Sequence, residues 1–460
     1  MSLSNLPREI LLEISDYLDN AGTNSLVRTN SSVHYLLNES LYRRDLKQIT
    51  ERLTGSRSLI WGVQNRIEGT VQRAVDACRC LNPIPESFHI ALQAAAYWGS
   101  VHFVEMLLNV DGIDCNFMGG PLQAAPILLA AEEGHSAIVA LLLSAVNIDP
   151  DIPSEGYIKF TPLLYACWKR HVSIVRQLLA REDVDCNTLR SSWTPLTLAC
   201  YFGNIEIVNL LLGRDDLDVN LSNGSKTPLI TAVETGLVEV VESLLTREDL
   251  KPNIVNNHGE HVLGHAVCLG KVDVVKLLLD HPSIDPNFMA NGQTALMLAW
   301  QADMVKLFLE REGIEVNRQD SFGLTALCKA AFRGHSEIGK LLLEREDINI
   351  NLPDNLGRTP LFAAVSCDCL ELVDLLLKKD GIDPNPKVID SGRTPLAHAC
   401  HFDGSTAIVR SLLSHPNTDP NAVDNNGVSI LADFMTFRHF RVDSLQADEI
   451  KLLLRTAGAR

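Results

Sequence analysis

The chain has little of what marks fibrous, membrane or nucleic-acid-binding proteins. Glycine (28) and proline (20) together make about a tenth of the 460 residues, which excludes collagen-like and low-complexity classes. The chain has 40 Lys and Arg and 57 Asp and Glu. The resulting net charge of −17 argues against a surface that neutralises phosphates. The longest nearly apolar stretch, residues 137–148, is too short to span a bilayer. We therefore expect no nucleic-acid and no membrane partner.

The amino terminus and the cysteines indicate the compartment. No long apolar run forms before Arg8 and Glu9, which excludes a secretory signal, so we expect a soluble protein of the cytoplasm, the nucleus or both. The 11 cysteines are then expected to be reduced thiols. The pairs Cys78/Cys80 and Cys367/Cys369 lack the second ligand pair of a zinc site, so we predict no metal and no cofactor.

The sequence also lacks the local motifs of enzymes. It has no phosphate-binding loop, no dinucleotide fingerprint and no Ser/His/Asp motif. His261 and His265 have a helical metal spacing, but no Glu follows His261 as a zinc protease would require. Cys167, Cys200 and Cys400 share one position of a repeat, where a small apolar residue packs. We predict that the chain is not an enzyme and has no catalytic residues.

A repeat of 31 to 36 residues runs through most of the chain. The string FTPLLYACWKRHVSIVRQLLA from Phe160 returns as WTPLTLACYFGNIEIVNLLLG from Trp193. The Leu of the T-P-L motif, or its equivalent, anchors each unit at Leu92, Ile127, Leu163, Leu196, Leu229, Leu263, Leu296, Leu327, Leu361, Leu396 and Leu431. A Leu-Leu pair begins 15 residues after the anchor in eight units. Because the anchor and the Leu-Leu pair recur at a fixed distance from each other, they establish the repeat.

Each unit predicts two helices and a turn. Thr194 and Pro195 suit the first turn of a helix, and Gly203 suits its end. A second apolar stretch follows, and Asn223-Gly224 then favours a hairpin turn. One unit is too small to bury its own apolar faces, so neighbouring units must stack into a continuous core.

This pattern resembles the ankyrin repeat family, whose period is about 33 residues with a T-P-L-H-x-A motif. The resemblance covers about four-fifths of the chain and implies an all-α fold, an α-solenoid with hairpin turns. We assign residues 88–460 to the array, about eleven units with a stretched last unit as a cap. Residues 51–87, anchored at Leu59, are a degenerate first repeat or connector. The unit of Leu296 lacks three residues between its helices, which predicts a shortened turn and a local kink.

Residues 1–50 fall outside the period. Their apolar residues recur at helical spacing, which predicts a helical module that resembles the F-box. The opening motif L-P-x-E-I-L-x-x-I-x-x-Y-L of the F-box is matched from Leu6 to Leu18. The combination with an ankyrin array resembles F-box/ankyrin proteins of filamentous fungi. The resemblance implies that this module binds the small adaptor of a cullin–RING ubiquitin ligase. The implied adaptor-binding residues are Leu6, Pro7, Glu9, Ile10, Leu11, Ile14, Leu18 and Leu26.

The resemblance implies a substrate-recognition subunit of such a ligase, in which the array binds an unknown target protein and the chain itself performs no chemistry. The alternative is an ankyrin scaffold or inhibitor with no ligase role, whose amino terminus is a helical cap. Residues 81–460 carry 30 Lys and Arg against 48 Asp and Glu, so basic partners should associate faster at low salt.

Aromatic residues mark candidate target-binding positions. In ankyrin-like units, the two residues before the helix-ending Gly and the residue before T-P-L face outward on the concave side. Those positions hold Tyr97, Trp98, Trp168, Trp193, Tyr201, Phe202, Phe332 and Phe402. A solvated surface normally has polar residues there, and Trp and Tyr are enriched at binding hot spots. The alternative is that these rings complete the core.

Overall fold

The computed structural model describes residues 57–78, 84–155, 159–222, 224–401, 405–437 and 444–460. The chain divides into two compact units, residues 1–223 and 224–460. Residues 1–50, with the eight predicted adaptor-binding side chains, lie outside the described residues, as does Phe402. The boundaries assigned to the three segments therefore stay predictions.

The first unit contains five helix pairs in its described residues. They are α1 (Arg57–Gln64), α2 (Glu68–Cys78), α3 (Glu86–Tyr97), α4 (Val101–Leu108), α5 (Pro126–Glu133), α6 (Ser136–Leu143), α7 (Pro162–Lys169), α8 (Val172–Leu179), α9 (Pro195–Phe202) and α10 (Ile205–Leu212).

The described residues of the second unit contain seven further pairs. They are α11 (Pro228–Thr235), α12 (Val238–Leu245), α13 (Val262–Cys268), α14 (Val272–Asp280), α15 (Ala295–Leu298), α16 (Ala302–Leu309), α17 (Ala326–Phe332), α18 (Ser336–Leu343), α19 (Pro360–Ser366), α20 (Leu370–Leu377), α21 (Pro395–His401), α22 (Thr406–Ser414), α23 (Ile430–Phe437) and α24 (Ser444–Thr456).

Within each unit the helices form two layers. The first helix of each pair contacts the first helices of its neighbours, and the second helices contact one another in the same way. The anchor residues lie in the core between the layers and are buried, except Leu431 in the last pair, which is half-buried. The described residues hold only isolated β-bridges and no extended strand, so the predicted all-α fold with hairpin turns is confirmed there.

The T-P-L motif starts the first helices as predicted. The hydroxyl of Thr194 accepts a hydrogen bond from the backbone N–H of Thr197, and Pro195 occupies the first turn. Thr161 caps α7 in the same way. At the other end of α9, Gly203 takes a left-handed conformation with φ 66° and ψ 30°, which glycine adopts without steric cost.

Asparagine side chains bridge successive hairpins in both units. Asn187 donates from Nδ2 to the carbonyl of Asp216 (2.7 Å), and its Oδ1 accepts from the backbone N–H of Asp218 (2.7 Å). The same two bonds to the next repeat are made by Asn116, Asn253, Asn287, Asn317, Asn351, Asn385 and Asn421. Each bridge satisfies two backbone groups that the turns leave without a partner.

The short repeat differs from its prediction. The three missing residues were expected to shorten the turn, but they shorten the first helix, because α15 has four residues where α9 has eight. Ala299 and Gln301 have extended backbone, and Trp300 is half-exposed. The second helix α16 keeps its full length because Val305 and Phe308 are fully buried. The last turn of a first helix is more exposed, so its loss removes less apolar burial.

One ion pair is buried in the second unit. The ammonium of Lys329 on α17 lies 2.9 Å from the carboxylate of Asp320, and the two side chains are 9% and 1% exposed. Oδ1 of Asp320 also accepts from the backbone N–H groups of Phe322 and Leu324. Burial disfavours the charge of Asp320, but Lys329 and these N–H groups outweigh it and lower its pKa.

We predict that Asp320→Asn lowers the free energy of unfolding by about 3 kcal/mol, because it leaves the Lys329 ammonium buried and unpaired. Amide hydrogen exchange on α17 measures this loss. Because the pKa of Asp320 is lowered in the folded state, its contribution is present above the pKa of an unfolded Asp and disappears as pH falls through the lowered value.

The matched control is Asp424→Asn. Asp424 accepts the equivalent pair of N–H groups, from Asn426 and Val428, and its carboxylate makes no ion pair with a lysine in the described structure. Asn keeps an acceptor oxygen, so this change should lower stability much less than Asp320→Asn does. Equal losses in the two variants would show that the Lys329 pair contributes nothing.

Candidate protein-binding surface

The structure places the predicted target-binding residues at several positions on the described surface. Trp98 is 53%, Tyr201 49% and Trp168 36% exposed. Tyr97, Trp193, Phe202 and Phe332 are half-buried. These exposures set the seven described residues apart from the buried anchors.

Four of the eight residues come together. Trp168, Trp193, Tyr201 and Phe202 line an open cleft of about 300 Å³ in the first unit, together with Phe160, Ser191 and Leu198. We call this site, formed by α7, α9 and the hairpin before each helix, the aromatic cleft. The other described residues of the predicted set lie outside it. Tyr97 and Trp98 contact each other edge to face at 5.1 Å, and Phe332 in the second unit lies under the guanidinium of Arg358 at 4.7 Å.

Ring contacts fix the orientation of the cleft walls. Phe160 is 5% exposed and packs edge to face against Trp168, with 5.9 Å between ring centroids and 87° between planes. Trp193 meets Tyr201 at 5.3 Å and 66°, and Tyr201 meets Phe202 at 5.1 Å and 87°. Edge-to-face pairs are the favoured arrangement of aromatic rings. The cleft is therefore preorganised by its own side chains.

A tight turn positions Trp193. The backbone of Arg190 and that of Trp193 exchange two hydrogen bonds, of 3.0 and 2.8 Å. Between them, Ser191 and Ser192 both have positive φ, 47° and 73°. Two residues with positive φ between paired strands are the signature of a type I′ turn, which closes a hairpin with the twist its strands prefer. This turn places Trp193 where its indole contacts Tyr201, near the end of α9.

Cations lie at the rim of the cleft. Nζ of Lys169 lies 4.8 Å from the ring centre of Trp168, and the guanidinium carbon of Arg170 lies 5.6 Å from that of Phe202. The Lys169 ammonium is also 4.0 Å from Glu132. Burial raises the pKa of Glu132, and Lys169 partly offsets this effect. The lining residues include no carboxylate, and Lys169, Arg170 and Glu132 together carry a net positive charge on a chain that is acidic as a whole.

The cleft presents hydrogen-bond donors. Within the described part of the chain, the indole N–H groups of Trp168 and Trp193 and the hydroxyl of Tyr201 have no hydrogen-bond partner. Buried or interfacial Trp and Tyr usually find a partner for these groups. The donors are therefore open to an acceptor from another molecule.

His261, Cys167 and Cys200 are buried among packed side chains. His261 stacks on Phe288 (4.4 Å) and contacts Oδ1 of Asn253 at 3.1 Å, and burial lowers its pKa to about 4. Burial raises the pKa of the Cys167 and Cys200 thiols far above the usual range, which makes them unreactive. Among the residues described, no cluster of three His, Cys, Asp or Glu could hold a metal ion, and no helix could span a membrane.

Two groups of residues were missed by the sequence reasoning. Phe160 stands 33 residues before Trp193 in the same position of the repeat, so the position rule that selected Trp193 could have found it. Exposed apolar side chains also occupy successive hairpin tips of the second unit, at Phe322 (67%), Leu356 (41%) and Ile389 (63%). The tips are joined by backbone hydrogen bonds from Asn355 to Phe322 and from Ile389 to Leu356. Phe322, Leu356 and Ile389 lie about one repeat apart in the sequence, and this spacing could have identified them.

Arg170 is held in a conformation that costs free energy. It ends α7 with φ 62° and ψ 36°, at the position where α9 ends with Gly203. A left-handed conformation costs a non-glycine residue about 1–2 kcal/mol. Strain of this kind persists where the surrounding structure enforces it, and it is concentrated at functional sites.

We predict that Arg170→Gly raises the free energy of unfolding by about 1 kcal/mol, because glycine adopts this conformation freely. Urea unfolding of the full chain measures the change. Gly203→Arg is the matched control and should lower stability by a similar amount. A destabilised Arg170→Gly variant would mean that the contact with Phe202 contributes more to folding than the strain costs.

The family models that match the chain agree with this architecture. Family models described as "Ankyrin repeats (3 copies)" match residues 92–189, 163–256, 245–320 and 301–388, and one described as "Ankyrin repeat" matches residues 391–425. No F-box family model matches the chain. The comparison with curated proteins found no match.

Among solved structures, the chain is similar to one titled "Crystal structure of the ankyrin repeat domain of Bcl-3: a unique member of the IkappaB protein family". The two are 25% identical with a TM-score of 0.43, and the match covers 47% of this chain and 96% of that chain. The family matches extend over well more than half of the residues, and the helix pairs repeat in the same period. The chain belongs to the ankyrin repeat family.

Proposed function

We propose that the chain is a protein-binding receptor that holds a target protein at the aromatic cleft. Ankyrin repeats support a protein–protein interaction role. The observation that carries the proposal is the convergence of four predicted target-binding rings with Phe160 on one open cleft. Exposed aromatic clusters mark interaction sites, and Trp and Tyr supply much of the binding energy at interfaces.

The degree of burial distinguishes aromatic rings that pack in the core from rings whose surface is accessible to a partner. Phe160 is 5% exposed and belongs to the core, whereas Trp168 and Tyr201 leave 36% and 49% of their surface open. This contrast favours the binding role of Trp168 and Tyr201 over the alternative that they complete the core. Tyr97, Trp98 and Phe332 would add contacts outside the cleft, and Phe402 stays a prediction.

The finer proposal is that the receptor works in a cullin–RING ubiquitin ligase. Its support is the match of residues 6–18 to the opening motif of the F-box. Residues 1–50 would dock the small adaptor, and the array would bring its target near the ubiquitin-carrying enzyme. The contribution of such a chain is proximity, which raises the effective concentration of one reactant near the other.

The test of target binding is the double change Trp168→Ser and Tyr201→Ser. Truncating a hot-spot side chain typically costs about 2 kcal/mol or more of binding free energy, so capture of target proteins should collapse. The melting temperature should fall only slightly, because both side chains are partly exposed and the change removes only their ring contacts with Phe160, Trp193 and Phe202. Quantitative mass spectrometry of captured proteins and calorimetry give the two readouts.

Trp300→Ser is the matched control, since Trp300 is 49% exposed, as Tyr201 is, and lies outside the cleft. It should leave the captured proteins unchanged. A loss of several kcal/mol of stability in the double variant, as for emptied core sites, would make Trp168 and Tyr201 structural and contradict the proposal.

The test of the ligase role is the double change Leu6→Ala and Pro7→Ala. If these residues contact the adaptor, co-purification of adaptor and cullin should be abolished while the array melts at the same temperature. Affinity purification followed by immunoblotting measures the first effect. Loss of array stability with adaptor binding intact would instead favour the helical-cap reading, in which the chain is a scaffold or inhibitor.

A further inference from the structure

We propose that the aromatic cleft binds a proline-rich segment in the polyproline II conformation, flanked by acidic residues. The inference rests on the proposed function and names the class of segment that the target presents. Three properties of the cleft carry it: its two aromatic walls, its unpaired donors and its basic rim.

The two aromatic walls border a groove of the kind that proline rings occupy. Phe160 and Trp168 form one wall, and Trp193 and Tyr201 form the other, each as an edge-to-face pair from one of two neighbouring repeats. Aromatic-lined grooves are the recurring docking sites of polyproline II segments, because proline presents a rigid apolar ring without losing further conformational freedom. Leu198, 3% exposed, is also among the lining residues.

The polar groups of the cleft fit a ligand that has acceptors and few donors. The indole N–H groups of Trp168 and Trp193 and the Tyr201 hydroxyl can all donate, and the lining side chains include no carboxylate and no amide. A strand or a helix end would bring N–H groups that need acceptors. Proline has no N–H, and a polyproline II segment has no internal hydrogen bonds, so its carbonyls are free to accept.

The rim selects the charge of the flanking residues. Lys169 and Arg170 place cations near the rings of Trp168 and Phe202, and the Glu132 carboxylate lies 4.0 Å from Lys169, which leaves these three groups with a net positive charge. A ligand cation, such as a methylated lysine, would compete with these groups and would find no carboxylate in the lining. Carboxylates that flank the proline core would instead pair with Lys169 and Arg170.

The test measures binding of a labelled synthetic peptide, Glu-Glu-Pro-Pro-Leu-Pro-Pro-Glu-Glu, to the full chain by fluorescence anisotropy. We expect saturable binding that weakens at least about tenfold when the prolines are replaced by alanine or the flanking glutamates by lysine. Binding of a trimethyl-lysine peptide in preference to the proline peptide would overturn the inference, as would equal affinity for the alanine peptide.

Point variants place the peptide in the cleft. Tyr201→Phe keeps the ring and removes the hydroxyl donor, so affinity for the peptide should fall about fivefold. Tyr165→Phe is the matched control, because Tyr165 packs against Phe160 but is not among the lining residues of the cleft, and it should leave the affinity unchanged. Arg170→Glu should reverse the preference from glutamate to lysine flanks. Unchanged affinity in Tyr201→Phe and Arg170→Glu would contradict the placement.

The two proposals fail in different ways. If the proline peptide does not bind but Trp168→Ser with Tyr201→Ser still abolishes capture of target proteins, the inference about proline is wrong and target binding at the cleft stands. If that double variant captures the same proteins as the unchanged chain, the cleft is not the target site and both proposals are wrong.

Discussion

The fold depends on one constraint: a pair of helices of about eight residues cannot bury its own apolar faces. Each pair must bury them against the next, so the anchor residues, such as Leu163 and Leu196, lie between neighbours and are almost fully buried. Polar contacts between neighbours add to this apolar packing, because the side chains of Asn187 and its equivalents form hydrogen bonds with the turn backbone of the following repeat. Both contacts act between neighbours, and neither uses the exposed last turn of a first helix.

That division leaves part of each repeat free to vary. In the repeat of α15 the last turn of the first helix is missing, yet Val305 and Phe308 on the second helix keep their buried positions. In α7 and α9 the same turn carries Trp168 and Tyr201, which the core does not require. The strained conformation of Arg170 at the end of α7 fits this picture, since a neighbour-stabilised repeat tolerates about 1–2 kcal/mol of local cost.

The periodic features of the chain could be predicted from the sequence, because one signal recurs in every unit. The anchors, the Thr caps and the helix pairs follow from the position within the repeat. The cleft was predicted only in part. The position rule found Trp168, Trp193, Tyr201 and Phe202, but their convergence depends on the tight turn at Ser191 and Ser192, where serine gives no signal of positive φ. The three missing residues of the α15 repeat were expected in the turn, because spacing alone does not show which element is shorter.

The central claim is that the rings of the aromatic cleft are exposed in the free chain and covered by the target. Hydroxyl-radical footprinting of the chain alone, and of the chain purified with its captured proteins, tests this most directly. The account predicts that Trp168 and Tyr201 are oxidised in the free chain and protected in the complex, whereas Trp300, which is as exposed as Tyr201 and lies outside the cleft, is oxidised equally in both. Equal oxidation of Trp168 and Tyr201 in the two samples would contradict it.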